Sequence, residues 1–483
     1  MPQIADIIPA SVCEIARQLR AAGYEAYAVG GCVRDTLLGR VPHDWDLTTS
    51  ATPAQMKDAV TFPAVDTGIA HGTVSFIADG TAVETTTFRT DGSYSDGRHP
   101  DQVTFARTLE EDLARRDFTI NAMAWSPGTG IVDPFGGARD LEARRLRCVG
   151  DALTRCTEDG LRIMRGLRIA ATYELAIEPD TANAFHRMKQ VLNAVANERI
   201  QVELSRMMAA PNGQALAAIV DEFSDIFMLL FPELAPAFEL SESGTRAQAH
   251  GIDSWRHSLA MMAALPADTE LRLAALLHCC DVPTCDNAVK ALGACAEESA
   301  RSNPQDMTPC KPSTPAVTPD DASPCGINAA SASRVARHAL KRLKFPRASV
   351  EGVASLIAGL SLPTNDNLPT ARRFLAHAGS AGRARQQLAL IRADWTAIAA
   401  EPANEHGLVH FATQLEDAIA QNSPTSPRDL VIGGADLITA GWQEGPGLGR
   451  ELGRLFEMVL DGKLPNERAT LLEEAMRDTP RGT

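Results

Sequence analysis

Aromatic side chains make up only 5% of this 483-residue chain, although 45% of its residues are hydrophobic. A core so poor in rings must be built from alanine, leucine and other aliphatics, which points to a largely helical protein. No stretch reaches the roughly 18 uncharged apolar residues of a membrane span. Met1-Pro2-Gln3 has no basic segment running into an apolar one, so no secretory leader is expected. The ten cysteines never form a Cys-x-x-Cys pair; they read as reduced thiols of a cytoplasmic protein. Positive charge is also short, with 46 Lys and Arg against 61 Asp and Glu, a net charge of −15. That balance disfavours a nucleic-acid partner only on average, because phosphate binding depends on local patches. Arg139, Arg144, Arg145, Arg147, Arg155, Arg162, Arg165 and Arg168 fall in one short interval, either a basic stripe or a salt-bridged helix surface. The length calls for two to four domains.

The chain is organised around residues 27–50. A short apolar strand, Tyr27 to Val29, enters Gly30-Gly31, and a helix is expected over Cys32–Leu38. Two adjacent glycines leave bare backbone N–H groups, which with a helix N-terminus make an anion seat. Arg34 adds a fork suited to phosphate oxygens. Gly39 ends the helix, and Pro42 turns the chain into Asp44-Trp45-Asp46. On a strand, residues two apart share a face, so Asp44 and Asp46 present paired carboxylates. Opposite a phosphate seat, they suit Mg²⁺ ions that hold a nucleoside triphosphate and activate an attacking hydroxyl.

Gly30-Gly31-x-Val33-Arg34-Asp35 followed by Asp44-x-Asp46-Leu47 resembles the head motif of the bacterial tRNA nucleotidyltransferase / poly(A) polymerase family, in the class II branch of polymerase-β-like nucleotidyltransferases. The resemblance implies an α/β head followed by all-α neck, body and tail domains. We divide the chain as head 1–140, neck 141–212, body 213–365 and tail 366–483.

Within the head, a helix over 11–22 stops at Gly23, and Thr52-Pro53 opens another. Two alternating runs, Gly72–Ile77 and Ala82–Phe88, flank Asp79-Gly80 and predict a β-hairpin. Glu84 on its second strand is either a third carboxylate near the metal site or a surface strand residue. The family's Glu-x-Thr-Thr-Phe-Arg segment, here Glu84 to Arg89, favours a catalytic place. The polar loop 90–100 carries Arg98, a candidate triphosphate or RNA contact. Asp112, Arg115, Arg116, Asp117 and Asn121 are expected on neighbouring helical turns. They could read a ribose hydroxyl and hold phosphates, or form a buried network bracing the head. Similarity to the family's Arg-Arg-Asp-Phe-x-x-Asn-Ala motif implies nucleotide binding by Arg116, Asp117 and Asn121. Asp133-Pro-Phe-Gly-Gly137 reads as a hinge, with nearly pure helix beyond Leu141.

Asp159 and Arg162 are three apart, so they are expected on one helix face. A carboxylate acceptor beside a guanidinium donor can contact the Watson–Crick edge of cytosine or adenine. The plain alternative is a surface salt bridge. Glu158-Asp159-x-x-Arg162 matches the family's amino-acid template for CTP and ATP, with Glu158 orienting Arg162 and Arg165 a further nucleotide contact. The segment 198–206 resembles the next neck motif and reads as support for that template.

Further on, His250 to His257 and Leu276 to Cys280 resemble the His…His-Asp metal site of phosphohydrolase-like domains, but Cys279 stands in the aspartate position and Asn328 replaces a later ligand. No metal pair and no phosphohydrolase activity are expected there. Residues 283–325, rich in Pro, Ser, Thr and Ala, read as a disordered insertion. A metal site from Cys285, Cys295, Cys310 and Cys325 would need ligands more widely spaced than zinc sites use. Asp429 to Gly449 resembles the tail of class II tRNA nucleotidyltransferases; the helix expected to open at Leu448-Gly449 could meet RNA phosphate or simply pack tightly.

The implied activity is Mg²⁺-dependent, template-independent addition of CMP and AMP from CTP and ATP to the 3′ end of tRNA. Poly(A) addition and partial C or A addition are alternatives; Asp66–Val74 replaces the basic, aromatic segment of poly(A) polymerases. An inactive RNA-binding protein is the alternative from another class.

Overall fold

A computed structural model describes residues 4–91, 103–242, 253–280, 328–361, 365–397 and 403–477. Arg98, His250, Gly326 and the segment 283–325 lie outside these residues. The chain forms two compact units, Met1–Leu230 and Phe231–Thr483. The first includes residues 1–212 and also the helices Gly213–Glu222 and Ser224–Leu230. No helix of the described residues is long and apolar enough to cross a membrane.

The first unit is built on a seven-stranded sheet in the order β3-β4-β5-β2-β1-β8-β9. Its strands are β1 Ala26–Val29, β2 Leu47–Thr49, β3 Ala64–Gly68, β4 Thr73–Ala78, β5 Thr81–Thr87, β8 Ala124–Ser126 and β9 Gly130–Val132. A separate ribbon pairs β6, Arg89–Asp91, with β7, Val103–Phe105. All neighbours in the large sheet run antiparallel except β2 and β5. The predicted hairpin is β4–β5, and φ is positive at both turn residues, 52° at Asp79 and 76° at Gly80. That is the turn whose twist matches two antiparallel strands. Behind the sheet, Val29, Phe88, Leu113, Ala122 and Ala124 are buried as one cluster.

The helix Ala10–Ala21 packs four apolar residues inward, and Pro53 opens Pro53–Ala59 with the Thr52 N–H bonded to Gln55 Oε1 at 2.9 Å. Asp133 to Gly137, expected as a hinge, is a tied junction. The Asp133 carboxylate accepts from the N–H groups of Gly137 and Ala138, at 2.7 and 2.9 Å. A Cβ on Gly137 would lie 2.1 Å from the Thr119 carbonyl oxygen, so only glycine fits there. Beyond it the first unit is helical apart from the two-residue parallel pair Arg145–Leu146 and Ala176–Ile177.

Among the described residues of the second unit, the regular elements are all helices. His257 lies on the helix Ser254–Ala264 and His278 at the end of Thr269–Leu277. Asn328 is not a ligand but a helix cap: its side chain accepts from the Ser331 N–H at 3.0 Å, opening Ala329–Arg342. Near the end, the helix starts at Pro446, two residues before the expected Leu448, with proline at its first turn.

Candidate active site

The sequence places glycine, carboxylate and arginine in separate stretches; the fold brings them to one cavity of about 840 Å³ in the first unit. Its wall includes Gly30, Gly31, Arg34, Asp44, Asp46, Arg116, Asp117, Asn121, Asp159, Arg162 and Arg165. Eight arginines line it, Arg34, Arg89, Arg115, Arg116, Arg162, Arg165, Arg168 and Arg206, against five aspartates, on a chain whose net charge is −15. A cationic pocket on an acidic protein is a local field suited to polyphosphate. The arginine interval seen in the sequence divides: Arg162, Arg165 and Arg168 reach the cavity, and Arg139, Arg144, Arg145, Arg147 and Arg155 do not line it.

The strand β1 delivers the chain to Gly30, where φ is +83° and the Arg116 Nη1 atom would lie 3.0 Å from an added Cβ. A side chain there would be strained and would crowd a guanidinium, which explains glycine. The helix that follows is Gly31–Leu37. Arg34 on it is not the open fork we expected. Its Nη1 donates to Asn121 Oδ1 and its Nη2 to the Tyr173 hydroxyl, both at 2.6 Å, and its Nε to Asp35 at 3.0 Å. At 8% exposure it braces Asn121 from behind. Arg116 borders Gly30; its Nη2 donates to Asp112 at 3.4 Å, and its buried Nε has no hydrogen-bond partner among the described residues.

Asp44 and Asp46 lie in the segment leading into β2, not within that strand. The Asp46 carbonyl still accepts from the Val29 N–H at 3.0 Å, which fixes the segment against β1. Because Leu47 pairs with Thr85 in the parallel β2–β5 register, Asp46 stands one step before, beside Glu84. Glu84 is exposed and does not line the cavity. Solvent reaches Asp46, yet the surrounding protein and repulsion from Glu84 push its carboxyl up to about 6; Asp44 adds to the rise, and Arg116 and Arg165 oppose it. Burial is the larger cause, and the neighbouring carboxylates add to it.

The shift sets a stability prediction. A folded pKa above the ordinary 3.8 means that ionised Asp46 is worse off in the folded chain. In chelator, stability should therefore fall as pH rises from about 4 through about 6, and the penalty should persist above that. Asp46→Asn should raise stability at pH 7.5 by about 1 kcal/mol, since solvent on the cavity side weakens the effect. Thermal unfolding of both proteins across pH 4–8 checks this: the gap should open with rising pH and close when Mg²⁺ is added.

Asp112, Arg115 and Arg116 do not share one continuous helix with Asp117 and Asn121. Leu109–Ala114 is a short helix, and Thr119–Asn121 is a separate 3₁₀ turn. Asp112 is wholly buried and bonds Arg115 at 3.0 Å and Thr48 at 3.2 Å, so it belongs to the bracing network. Asp117 accepts from Asn121 Nδ2 and the Phe118 N–H at 3.0 and 2.8 Å and faces Arg165 at 3.0 Å. Burial would raise its carboxyl, but Arg165 and Asn121 outweigh it and hold the group below its ordinary value.

The expected helix through Asp159 and Arg162 is broken. Ala152–Glu158 and Leu161–Tyr173 are separate helices, and Asp159 sits extended between them. Its carboxylate is held by Arg199 Nη2 at 2.8 Å and by the Leu161 N–H at 3.0 Å, not by Arg162. Arg162 instead pairs with Glu158 and donates to the carbonyls of Arg155 and Arg115, each at 3.0 Å. Both residues nevertheless line the cavity, with Glu158 behind. Arg199 lies on Asn197–Met208, the helix that contains the segment 198–206. Tyr173 escaped sequence reasoning. Its signal was there: Arg162, Arg165, Ile169 and Tyr173 recur every three or four residues on one helix, and the first three line the cavity.

Residues 26–147 match a model of the poly(A) polymerase head domain, and residues 327–475 match one described as tRNA nucleotidyltransferase domain 2. A CCA-adding enzyme from Limosilactobacillus fermentum is 33% identical over 467 residues, covering 95% of each chain. The chain belongs to the CCA-adding enzyme family. It is a tRNA nucleotidyltransferase, with the sheet-containing head and helical remainder expected of that family. The CCA-adding enzyme of Lactiplantibacillus plantarum is 50% identical over 194 residues, 40% of this chain and 47% of its own. The Bacillus stearothermophilus CCA-adding enzyme, solved in complex with CTP, superimposes with a TM-score of 0.65 at 28% identity, covering 99% of this chain and 98% of its own. The Thermotoga maritima CCA-adding enzyme, at 17% identity and a TM-score of 0.58, supports the fold alone.

Proposed function

We propose that this chain adds CMP and then AMP, from CTP and ATP, to the 3′ end of tRNA in the cytoplasm, with Mg²⁺ as cofactor. The observation that carries the reading is the shared cavity: bare backbone at Gly30-Gly31, carboxylates at Asp44 and Asp46, and Asp159 with Arg162, all on one wall system rich in arginine. Hard oxygen donors at Asp44 and Asp46 suit Mg²⁺, and the raised Asp46 carboxyl marks a donor set that a cation would relieve. When bound, Mg²⁺ would supply charge neutralisation and activation of the primer hydroxyl.

The chain's own residues would do the rest. Gly30 and Gly31 offer N–H groups to the triphosphate, and Arg116 and Arg165 neutralise its charge. Asn121, held by Arg34 and Asp117, would read the ribose hydroxyl. Asp159 accepts from the exocyclic amine of cytosine or adenine, and Arg162 donates to the neighbouring ring acceptor. Fixing the nucleotide and primer this way removes much of the entropic barrier to an in-line displacement. Glu84 would act on the carboxylate pair through its charge. The helical neck would carry the base template, and the body and tail would hold the tRNA by shape and backbone charge.

With Mg²⁺ and tRNA lacking its 3′ end, the purified protein should incorporate CTP first and ATP next, then stop. Gel analysis with single and mixed nucleotides reads this directly. Long A tracts on generic RNA would replace the proposal with poly(A) addition, and a product ending after C or requiring prior C residues would mark a partial enzyme.

A further inference from the structure

The last residue of the helix Leu161–Tyr173 stands outside the cavity wall, yet it bonds a residue that lines it. Tyr173 is buried, and its hydroxyl accepts from Arg34 Nη2 at 2.6 Å. The Arg34 guanidinium also lies 4.3 Å from the centre of the tyrosine ring, and that of Arg40 lies 4.7 Å from it. Cations over an aromatic face are attracted to it. Arg144 Nη1 donates to the Tyr173 carbonyl at 3.1 Å, so the main chain of this residue is held as well.

A buried guanidinium must find partners for its fork. Arg34 reaches Asp35 through Nε, Asn121 Oδ1 through Nη1 and the Tyr173 hydroxyl through Nη2. The fork is planar and rigid, so a partner on one prong sets the direction of the others. Asp35 adjoins Arg34 in the chain, whereas Tyr173 is an anchor brought in from 139 residues away. On its far side the Asn121 amide donates from Nδ2 to Asp117 Oδ1 at 3.0 Å, and Asp117 faces Arg165 at 3.0 Å. Two residues of one helix, Arg165 and Tyr173, thus hold the amide from its nitrogen end and its oxygen end. It cannot flip without turning N–H groups on a guanidinium and an oxygen on a carboxylate. One Nδ2 hydrogen remains, because the amide makes no other side-chain hydrogen bond among the described residues.

We propose that Tyr173 is a positioning residue for sugar choice: it holds Arg34, Arg34 fixes the Asn121 amide, and the remaining amide N–H tells a ribonucleotide from a deoxyribonucleotide. The proposal rests on the reading that Asn121 meets the ribose hydroxyl. A 2′-hydroxyl supplies the acceptor this donor needs, and a deoxyribose leaves the donor unpaired. That preference depends on the aim of the amide, which Tyr173 sets without touching the nucleotide.

The test is competition between CTP and dCTP, with Mg²⁺ and tRNA lacking its 3′ end. The wild type should prefer CTP. Tyr173→Phe keeps the ring and removes only the acceptor, and it should lower the preference about tenfold. The choice of CTP over UTP, made elsewhere in the cavity, should not move. Arg34→Lys keeps the charge but not the fork and should lower the sugar preference at least as far, which preserves the test if one variant fails to fold. Asn121→Ala should remove the preference, and adding Tyr173→Phe to it should lower it no further. A wild type that prefers CTP beside a Tyr173→Phe chain with the same ratio overturns this proposal and leaves the proposed function standing. So does an equal loss of turnover with both sugars, the mark of a packing role alone, and so does a wild type that uses CTP and dCTP alike. A wild type that incorporates neither overturns the proposed function, and this proposal with it.

Discussion

Asp46→Ala should lower nucleotide incorporation by at least about a thousandfold, on the order of 4 kcal/mol or more of transition-state stabilisation. Asp46 lies in the segment feeding β2, fixed to β1 through the Val29 N–H and set beside Glu84 by the β2–β5 register. Its main chain is therefore fixed beside β1. Glu84 does not reach the cavity wall, and Asp44 alone leaves one carboxylate where the chemistry asks for two. The same substitution removes a group whose ionisation opposes folding, so the protein should not lose stability. Loss of turnover with an unchanged or raised melting temperature and retained tRNA binding is the expected pattern. Single-turnover incorporation at saturating Mg²⁺ measures it. Turnover within about tenfold of the wild type would remove Asp46 from the reaction.

Much of this site was legible because its parts are local. The Gly30-Gly31 turn, the hairpin around Asp79-Gly80 and the capped helix after Thr52 depend on short-range backbone preferences, and the fold uses all three. What spacing could not give was which partner each charged side chain takes. A spacing of three between Asp159 and Arg162 suggests a pair, but the helix breaks at Asp159 and a residue forty positions later claims the carboxylate. Arg34 looked like an open phosphate fork because Tyr173, 139 residues away, is invisible to local periodicity. Long-range charge pairing is decided by packing, and a hydrophobic pattern carries little of that information. The carboxylates were recognisable for a different reason: Asp44 and Asp46 lie close together in sequence in the segment entering β2, and both line the cavity.

Asp159→Ala should erode base choice more than rate, lowering the preference for CTP over UTP by about a hundredfold, a difference of roughly 3 kcal/mol. Cytosine and adenine offer an exocyclic amine to a carboxylate, whereas uracil offers a carbonyl oxygen that a carboxylate repels. Removing Asp159 deletes the attraction for the right bases and the repulsion of the wrong one together. Arg199 makes the test discriminating, because it holds Asp159 from behind. If Asp159 served only to form that ion pair, Asp159→Ala and Arg199→Ala would cost similar stability and leave selectivity untouched. If Asp159 reads the base, its loss should abolish discrimination, while Arg199→Ala should leave a mobile carboxylate and a partial effect. Arg199→Lys, which keeps the charge but not the two-pronged contact, should fall between Arg199→Ala and the wild type. Competition assays with equal CTP and UTP on tRNA lacking its 3′ end give the ratios directly. Equal ratios across all four proteins would make the contact a brace for the helix break and nothing more.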